Sequence, residues 1–410
     1  MWTTLKKRLW QSRGILLAVP SVAGVVMGLR LVGFIEPLEL VALDRFFRIR
    51  PAEAMDERIA IVEITETDIQ QIGLWPMPDK TLAKLLTKIQ QQNPRAVGLD
   101  LYRDLPVEPG HRELVNVFES MPNLIGIQKI VPPVVNPPPA LKKADQVGSN
   151  DLFLDDDGKL RRTVISLRDS QKQIFLSLGV RLAMIYLETE GVELKTLDPK
   201  TSTIQFGKTI FRPMVQSSEA VTSNEGGYVD VDARGYQVIA NFRNLPDRFR
   251  SIPMMDVLNG KTPPDFFRDR VVLIGLTAAS SGDIFLTPPG AASGVAIHAD
   301  VVSQMLSAAL EGRPPLTNWS ESSEYLWIFG WAVIGGLVCW TGRYRRLNKD
   351  RASDNLLHKL PMTAIGVLLL FAGLVGGSYV AFLHAVWIPV VPAAIALLGT
   401  AGVLTGYTAW

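Results

Sequence analysis

In this chain of 410 residues, Asp100 ends an apolar run that reads as a strand, and Asp283 follows the loop after another. Asp100 closes the run Ala96-Val97-Gly98-Leu99, and Asp283 follows the loop after Val271-Val272-Leu273-Ile274-Gly275. Two carboxylates at strand ends can serve as acid and base or hold a polar ligand. The same side chains can instead bond local backbone amides. Loops after parallel strands converge on one side of a sheet, which brings in Thr277 after Gly275 and Trp75, an apolar contact on the loop after Ile64. The expected ligand-binding set is therefore Trp75, Asp100, Thr277 and Asp283. No catalytic residue and no metal ligand is assigned.

Other patterns carry less. Asp155-Asp156-Asp157-Gly158 has the look of a calcium loop, but the further oxygen ligands and closing glutamate of an EF-hand are missing, so it reads as an acidic turn. Gly275-Leu276-Thr277-Ala278 lacks the Gly-Lys-Ser/Thr ending of a phosphate loop. Gly290-Ala291-Ala292-Ser293-Gly294 has the wrong spacing for a nucleophile elbow. His111 and His298 do not form a metal pair, and His298 reads as packing or capping near the start of its helix. Asn318-Trp319-Ser320 matches a glycosylation acceptor only by chance. No cofactor motif is present.

The elements that must position these residues alternate. Ile59 to Ile64 reads as a buried strand and Asp79 as the cap of a helix carrying Leu82, Leu85, Leu86 and Ile89, which Asn93-Pro94 ends. Ala96 to Leu101 is the next strand, giving a βαβ unit with a right-handed crossover. A helix over His111 to Ser120, a strand over Leu124 to Ile130, a Pro-rich excursion at Pro132 to Pro139 and a helix over Leu176 to Glu190 follow. Gly207-Lys208 signals a hairpin between Thr203–Phe206 and Thr209–Phe211. Tyr236 to Phe242 and Val271 to Gly275 are further strands, and a long helix runs from Val295 to Leu310. The expected fold class is an α/β domain with a mixed sheet and one continuous core, plus membrane helices.

The near balance of 42 basic and 40 acidic residues, net +2, excludes a strong field for nucleic acid. The single cysteine, Cys339, excludes an intrachain disulfide. Four apolar runs stand out. The first exceeds a signal-peptide core and no Ala-x-Ala site follows, so it reads as an uncleaved anchor. Lys6, Lys7, Arg8 and Arg13 before it, and six Lys/Arg between Arg343 and Lys359, place those segments in the cytoplasm. The expected order is a cytoplasmic N-terminus (1–13), a membrane helix (14–35), an extracytoplasmic segment (36–323), a membrane helix (324–342), a basic cytoplasmic loop (343–359) and membrane helices at 360–384 and 386–408, the last two joined tightly at His384-Ala385. Trp319, Trp327, Trp331 and Trp340 suit a membrane interface. The pairs Gly373/Gly377 and Gly402/Gly406 offer close helix contacts, within one chain or between two.

Taken in order, several stretches resemble the CHASE domain of the second class, an extracytoplasmic sensor module of bacterial signalling proteins. They are Asp44 to Pro51, Ile61 to Ile64, Trp75-Pro76-Met77-Pro78, Ala96 to Asp100, Asp155 to Gly158 with Arg161-Arg162, Asn241-Phe242-Arg243, Val271 to Ala278, Asp283, Thr287-Pro288 and Gly294 to Ala299. The resemblance covers about residues 40–312. It implies a multi-pass protein of the bacterial plasma (inner) membrane, with the sensor outside and a cytoplasmic output after the last helix, typically a cyclase or a kinase. The sequence stops at Trp410 without one, so the expectation is a receptor with no catalysis of its own in these residues, its output absent or trimmed. A scaffold or subunit of a membrane complex, or an extracytoplasmic enzyme using Asp100 and Asp283, are the alternatives. Expected partners are the lipid bilayer, further copies of the chain as a dimer or higher homo-oligomer, an extracytoplasmic small-molecule or protein signal and a cytoplasmic signalling partner. The resemblance itself carries no ligand-binding residue to this chain.

Overall fold

The β-branched runs of the sequence become neighbouring strands in the computed structural model, which describes residues 2–215, 222–244, 247–349 and 360–409. Two helices, α1 (Trp2–Leu31) and α2 (Glu36–Ile49), precede them. The strands β1 (Ile59–Ile64), β2 (Ala96–Asp100), β3 (Leu124–Gln128), β4 (Val147–Ser149), β5 (Arg250–Pro253) and β6 (Val271–Leu276) form one sheet in the order β5-β1-β6-β2-β3-β4. All its pairings are parallel. Antiparallel pairing occurs in separate small sheets. One joins Arg162–Arg168 to Tyr236–Ile239 and Ile174–Leu176, and another holds the hairpin expected at Gly207-Lys208.

A parallel sheet needs cover on both faces, and this one has it. Successive residues of β1, β2 and β6 alternate between two cores rather than sharing the one expected. Ile59, Ile61, Ala96, Val271 and Leu273 pack with α7 (Leu178–Glu188) and α9 (Gly294–Glu311). Ala60, Val62, Val97, Leu99, Val272 and Ile274 pack on the other face, with α4 (Asp79–Gln90), α5 (His111–Ser120), α6 (Pro139–Lys143) and α8 (Met254–Leu258). Each fully buried Leu, Ile or Val contributes about 1.5–3 kcal/mol. Between β1 and α4 lies the short helix α3 (Glu66–Ile72), closed by a Thr65/Asp68 capping box. Asp79 is the first residue of α4 and does not cap it; Pro78 holds the cap position. The acidic turn holds two buried arginines: Asp155 pairs with Arg161 at 2.7 Å and Arg162 at 2.9 Å, and Asp157 with Arg161 at 2.6 Å. Those carboxylates are engaged by guanidinium groups.

These elements belong to one of two compact units, Phe47–Thr222 with Asp232–Pro315. The other unit is Met1–Phe46, Ser223–Val231 and Leu316–Trp410. It contains α1, most of α2, α10 (Glu321–Lys349), α11 (Leu360–Leu383) and α12 (Val391–Ala409). Three stretches are long and apolar enough to cross a membrane, Gly14–Leu31, Glu321–Thr341 and Thr363–Leu383; α12 carries a shorter one, Val391–Gly406. α12 starts five residues later than expected, because Val386–Trp387 form a short strand paired with Thr317–Asn318. α10 continues past 342 to Lys349, and the rest of the expected basic loop, 350–359, lies outside the described residues.

At one end of this unit Arg30 pairs with Glu324 and donates to Gly226 O at 2.6 Å. Glu39 accepts from Trp387 Nε1 (3.1 Å), Val390 N and Val391 N (2.7 Å), so its carboxylate caps α12 from outside the helix. Gly227 lies so close to Trp387 that a Cβ would sit 2.6 Å from the ring. The helices approach most closely at Gly335, where a Cβ would meet Leu397 O at 2.5 Å. At Gly373, Gly377, Gly402 and Gly406, the pairs singled out by spacing, an added Cβ would meet nothing within 4 Å among the described residues.

In the α/β unit, a Cβ on Gly148 of β4 would stand 2.6 Å from the backbone Cα of Leu178, the first residue of α7. Gly148→Ala is expected to push α7 off the sheet edge and to cost about 1–3 kcal/mol. Thermal unfolding of the variant in detergent checks this; an unchanged midpoint would contradict the close packing.

Candidate functional site

Strand order decides which loops meet. β1, β6 and β2 are adjacent and parallel, so the segments after Ile64, Leu276 and Asp100 leave the sheet along one edge. In register, Glu63 and Asp100 flank Gly275 from its two sides. Alternation along β2 sends Val97 and Leu99 to the α4/α5 face, so Asp100 faces α9.

There it meets His298, whose Nε2 lies 3.9 Å from Asp100 Oδ1. The side chains are 3% and 6% exposed, so neither is freely hydrated. Asn150, just after β4, hydrogen-bonds the Asp100 carboxyl and accepts from Tyr102 Oη at 3.0 Å. Asp283 arrives from the loop after β6. Its carbonyl accepts from Gly294 N at 3.0 Å, and its carboxylate lies against Gly294 at the start of α9, where a Cβ would be 2.5 Å from Oδ2. Only glycine admits the carboxylate there.

The electrostatics follow from burial without a basic partner. Burial pushes the Asp100 carboxyl up to about 7, against a hydrogen bond from Asn150 that lowers it. Burial, then the Asp100 charge, push Asp283 up to about 6. Burial drives His298 down to about 4, against the Asp283 and Asp151 charges that raise it, and His298 in turn lowers Asp283. The cluster is an acid pair beside a neutral histidine, able to hold a proton or a polar group. Among the described residues no three His, Cys, Asp or Glu side chains converge to hold a metal ion.

Of the four residues singled out by sequence, Asp100 and Asp283 come together. Thr277 is partly exposed on the same edge, its amide donating to Ile64 O at 3.0 Å. Trp75, 37% exposed, lies on the loop between α3 and α4. Sequence reasoning left out Asn150, Tyr102 and the inward-facing His298. The one available signal was the spacing of His298 four residues after Gly294, one turn along a helix that starts at the strand-end loop.

The family model of the CHASE2 domain matches residues 21–337. The chain belongs to the CHASE2 family. This is a sensor domain family typically found in signalling proteins, and the match extends beyond the α/β unit into the apolar helices at either side. No curated protein and no solved structure matches the chain.

Both raised carboxyls bind a proton more tightly folded than unfolded, where an aspartate titrates near about 4. Their contribution is therefore fully favourable below that value and is lost as pH rises through about 6 to 7. His298, depressed, acts in the opposite sense, losing stability as pH falls from 6.5 towards about 4. Asp100→Asn is expected to gain melting temperature over the parent progressively between about pH 4 and pH 8. Melting curves across that range that stay parallel would contradict the buried acid pair.

Proposed function

We propose that the chain is a membrane-anchored receptor that reads a signal outside the cytoplasm, at the strand edge carrying Asp100, Asp283 and Thr277, and passes it to a cytoplasmic partner of the cyclase or kinase type. The single observation that carries this reading is the CHASE2 match, which takes in the sensor unit together with apolar helices before and after it. In this reading the protein sits in the bacterial inner membrane. Residues 36–323 are extracytoplasmic and both termini are cytoplasmic, because short Lys/Arg-rich segments stay inside. Reporter fusions at the N-terminus and at Trp410 test the topology. Both are expected to be active only as cytoplasmic reporters, and a Trp410 fusion active only on the outer side would overturn it.

A second reading, an extracytoplasmic enzyme, draws on one observation: two neighbouring carboxyls raised to about 7 and about 6 suit an acid and a base. Loss of a measured turnover in Asp100→Asn would promote this reading over the receptor.

Signalling by relative movement of helices needs more than one copy, and in this reading the chain works as a homodimer or higher homo-oligomer. Around Gly373 and Gly377 on α11 an added Cβ would meet nothing within 4 Å among the described residues, and small residues at that spacing suit close approach of a second copy. The mass of the detergent-solubilised protein at micromolar concentration decides the point: a dimer or larger species is expected, and a strict monomer would contradict it.

A further inference from the structure

A second polar constellation lies on the opposite face of the sheet from His298. Asp79, the buried first residue of α4, accepts at Oδ2 from His111 Nδ1 (2.8 Å) and from Val107 N (3.2 Å). A carboxylate only accepts, so the His111 proton is on Nδ1, and the two bonds hold the carboxyl plane still. The other oxygen, Oδ1, is buried and has no hydrogen-bond partner. Facing it 3.7 Å away is Arg103 Nε, also buried and without a hydrogen-bond partner, while Nη2 of the same guanidinium is tied to Met77 O at 3.0 Å. An acceptor and a donor are thus held side by side, too far apart to satisfy each other.

Both line a groove of about 270 Å³ between α4, α5 and α6. Its floor is apolar, with Leu114, Phe118 and the Pro138-Pro139 pair, and Lys143 stands at its rim. The volume falls just below the range of about 300–1,000 Å³ usual for small-molecule sites, so a ligand here is small. A simple anion would satisfy Arg103 and leave Asp79 Oδ1 alone; a simple amine would do the reverse. One class of molecule carries a donor cation and an acceptor anion on adjacent atoms with an apolar body beyond them.

We propose that this groove binds a free α-amino acid with an apolar side chain. The ammonium group lies at Asp79 Oδ1, the carboxylate at Arg103 Nε and Lys143 Nζ, and the side chain on Leu114 and Phe118. His111 is a positioning residue that orients Asp79. The site shares no residue with the Asp100/Asp283 pair, so it goes beyond the receptor reading and stands independently of it.

Isothermal titration of the full chain in lipid nanodiscs with L-leucine and L-phenylalanine tests the proposal. Saturable binding of at least one is expected. Leucinamide, lacking the carboxylate, and isocaproate, lacking the ammonium, should each bind at least about tenfold more weakly, the loss of one charge-assisted contact. Lys143→Ala, an exposed position, should weaken binding. Arg103→Gln should abolish it. Asp100→Asn should leave it unchanged. Absence of saturable heat with both amino acids, binding of leucinamide or isocaproate as tight as that of L-leucine, or an unaltered affinity in Lys143→Ala overturns the proposal.

Discussion

Parallel strands covered by helices on both faces leave no room for polar side chains along their length. The aliphatic residues Ile59 to Val62, Val97, Leu99 and Val271 to Ile274 are divided between two cores, since a polar group buried there without a partner would cost a few kcal/mol. Polar chemistry is therefore confined to the ends of the strands, and the parallel pairing puts all the carboxyl ends on one edge. Once residues on one strand alternate between faces, a single position decides which helices a strand-end side chain meets. Asp100 meets α9 and His298, while the loop that continues from it carries Arg103 round to α4 and α5.

The two polar clusters of that edge have opposite electrostatic characters. The Asp100/Asp283 pair has a neutral histidine as its neighbour, so its negative charge is opposed chiefly by protonation, and burial raises both acids. Around Asp79, by contrast, a guanidinium and an imidazole stand beside one carboxylate. The first arrangement stores a proton; the second offers fixed charges of both signs. Burial of a similar degree thus has different consequences, depending on whether a permanent cation lies within reach.

In the helical unit the corresponding constraint is that helix ends must be satisfied. α12 begins after a two-residue strand, and its first free amides are met by Glu39, contributed from α2 over 350 residues earlier in the chain, together with Trp387 Nε1. The Ser223–Val231 segment, an excursion from the middle of the α/β sequence, belongs to this same unit. It brings the Gly226 carbonyl to Arg30 and the Tyr228 ring edge-on to Trp387 at 5.7 Å. The Trp319, Trp327 and Trp331 rings, expected at an interface, meet edge to face in turn at 5.5 and 5.4 Å.

Local pattern was enough to reveal the βαβ unit, the amphipathic face of α4, the hairpin at Gly207-Lys208, the long helix before Gly312 and the apolar runs, because each depends on neighbours within a few residues. Asp100 and Asp283 stood out because strand ends are visible in sequence. The same local reading could not tell that β6 inserts between β1 and β2, since that order is set by crossovers spanning most of the domain. It therefore merged two cores into one and gave Asp79 a capping role when its carboxyl turns to His111. Asn150, Tyr102 and His298 became part of the site only through tertiary placement. A hydrogen bond or a charge–charge contact across such separations in sequence leaves no periodic trace, and only the packing of one strand beside another brings the partners within reach.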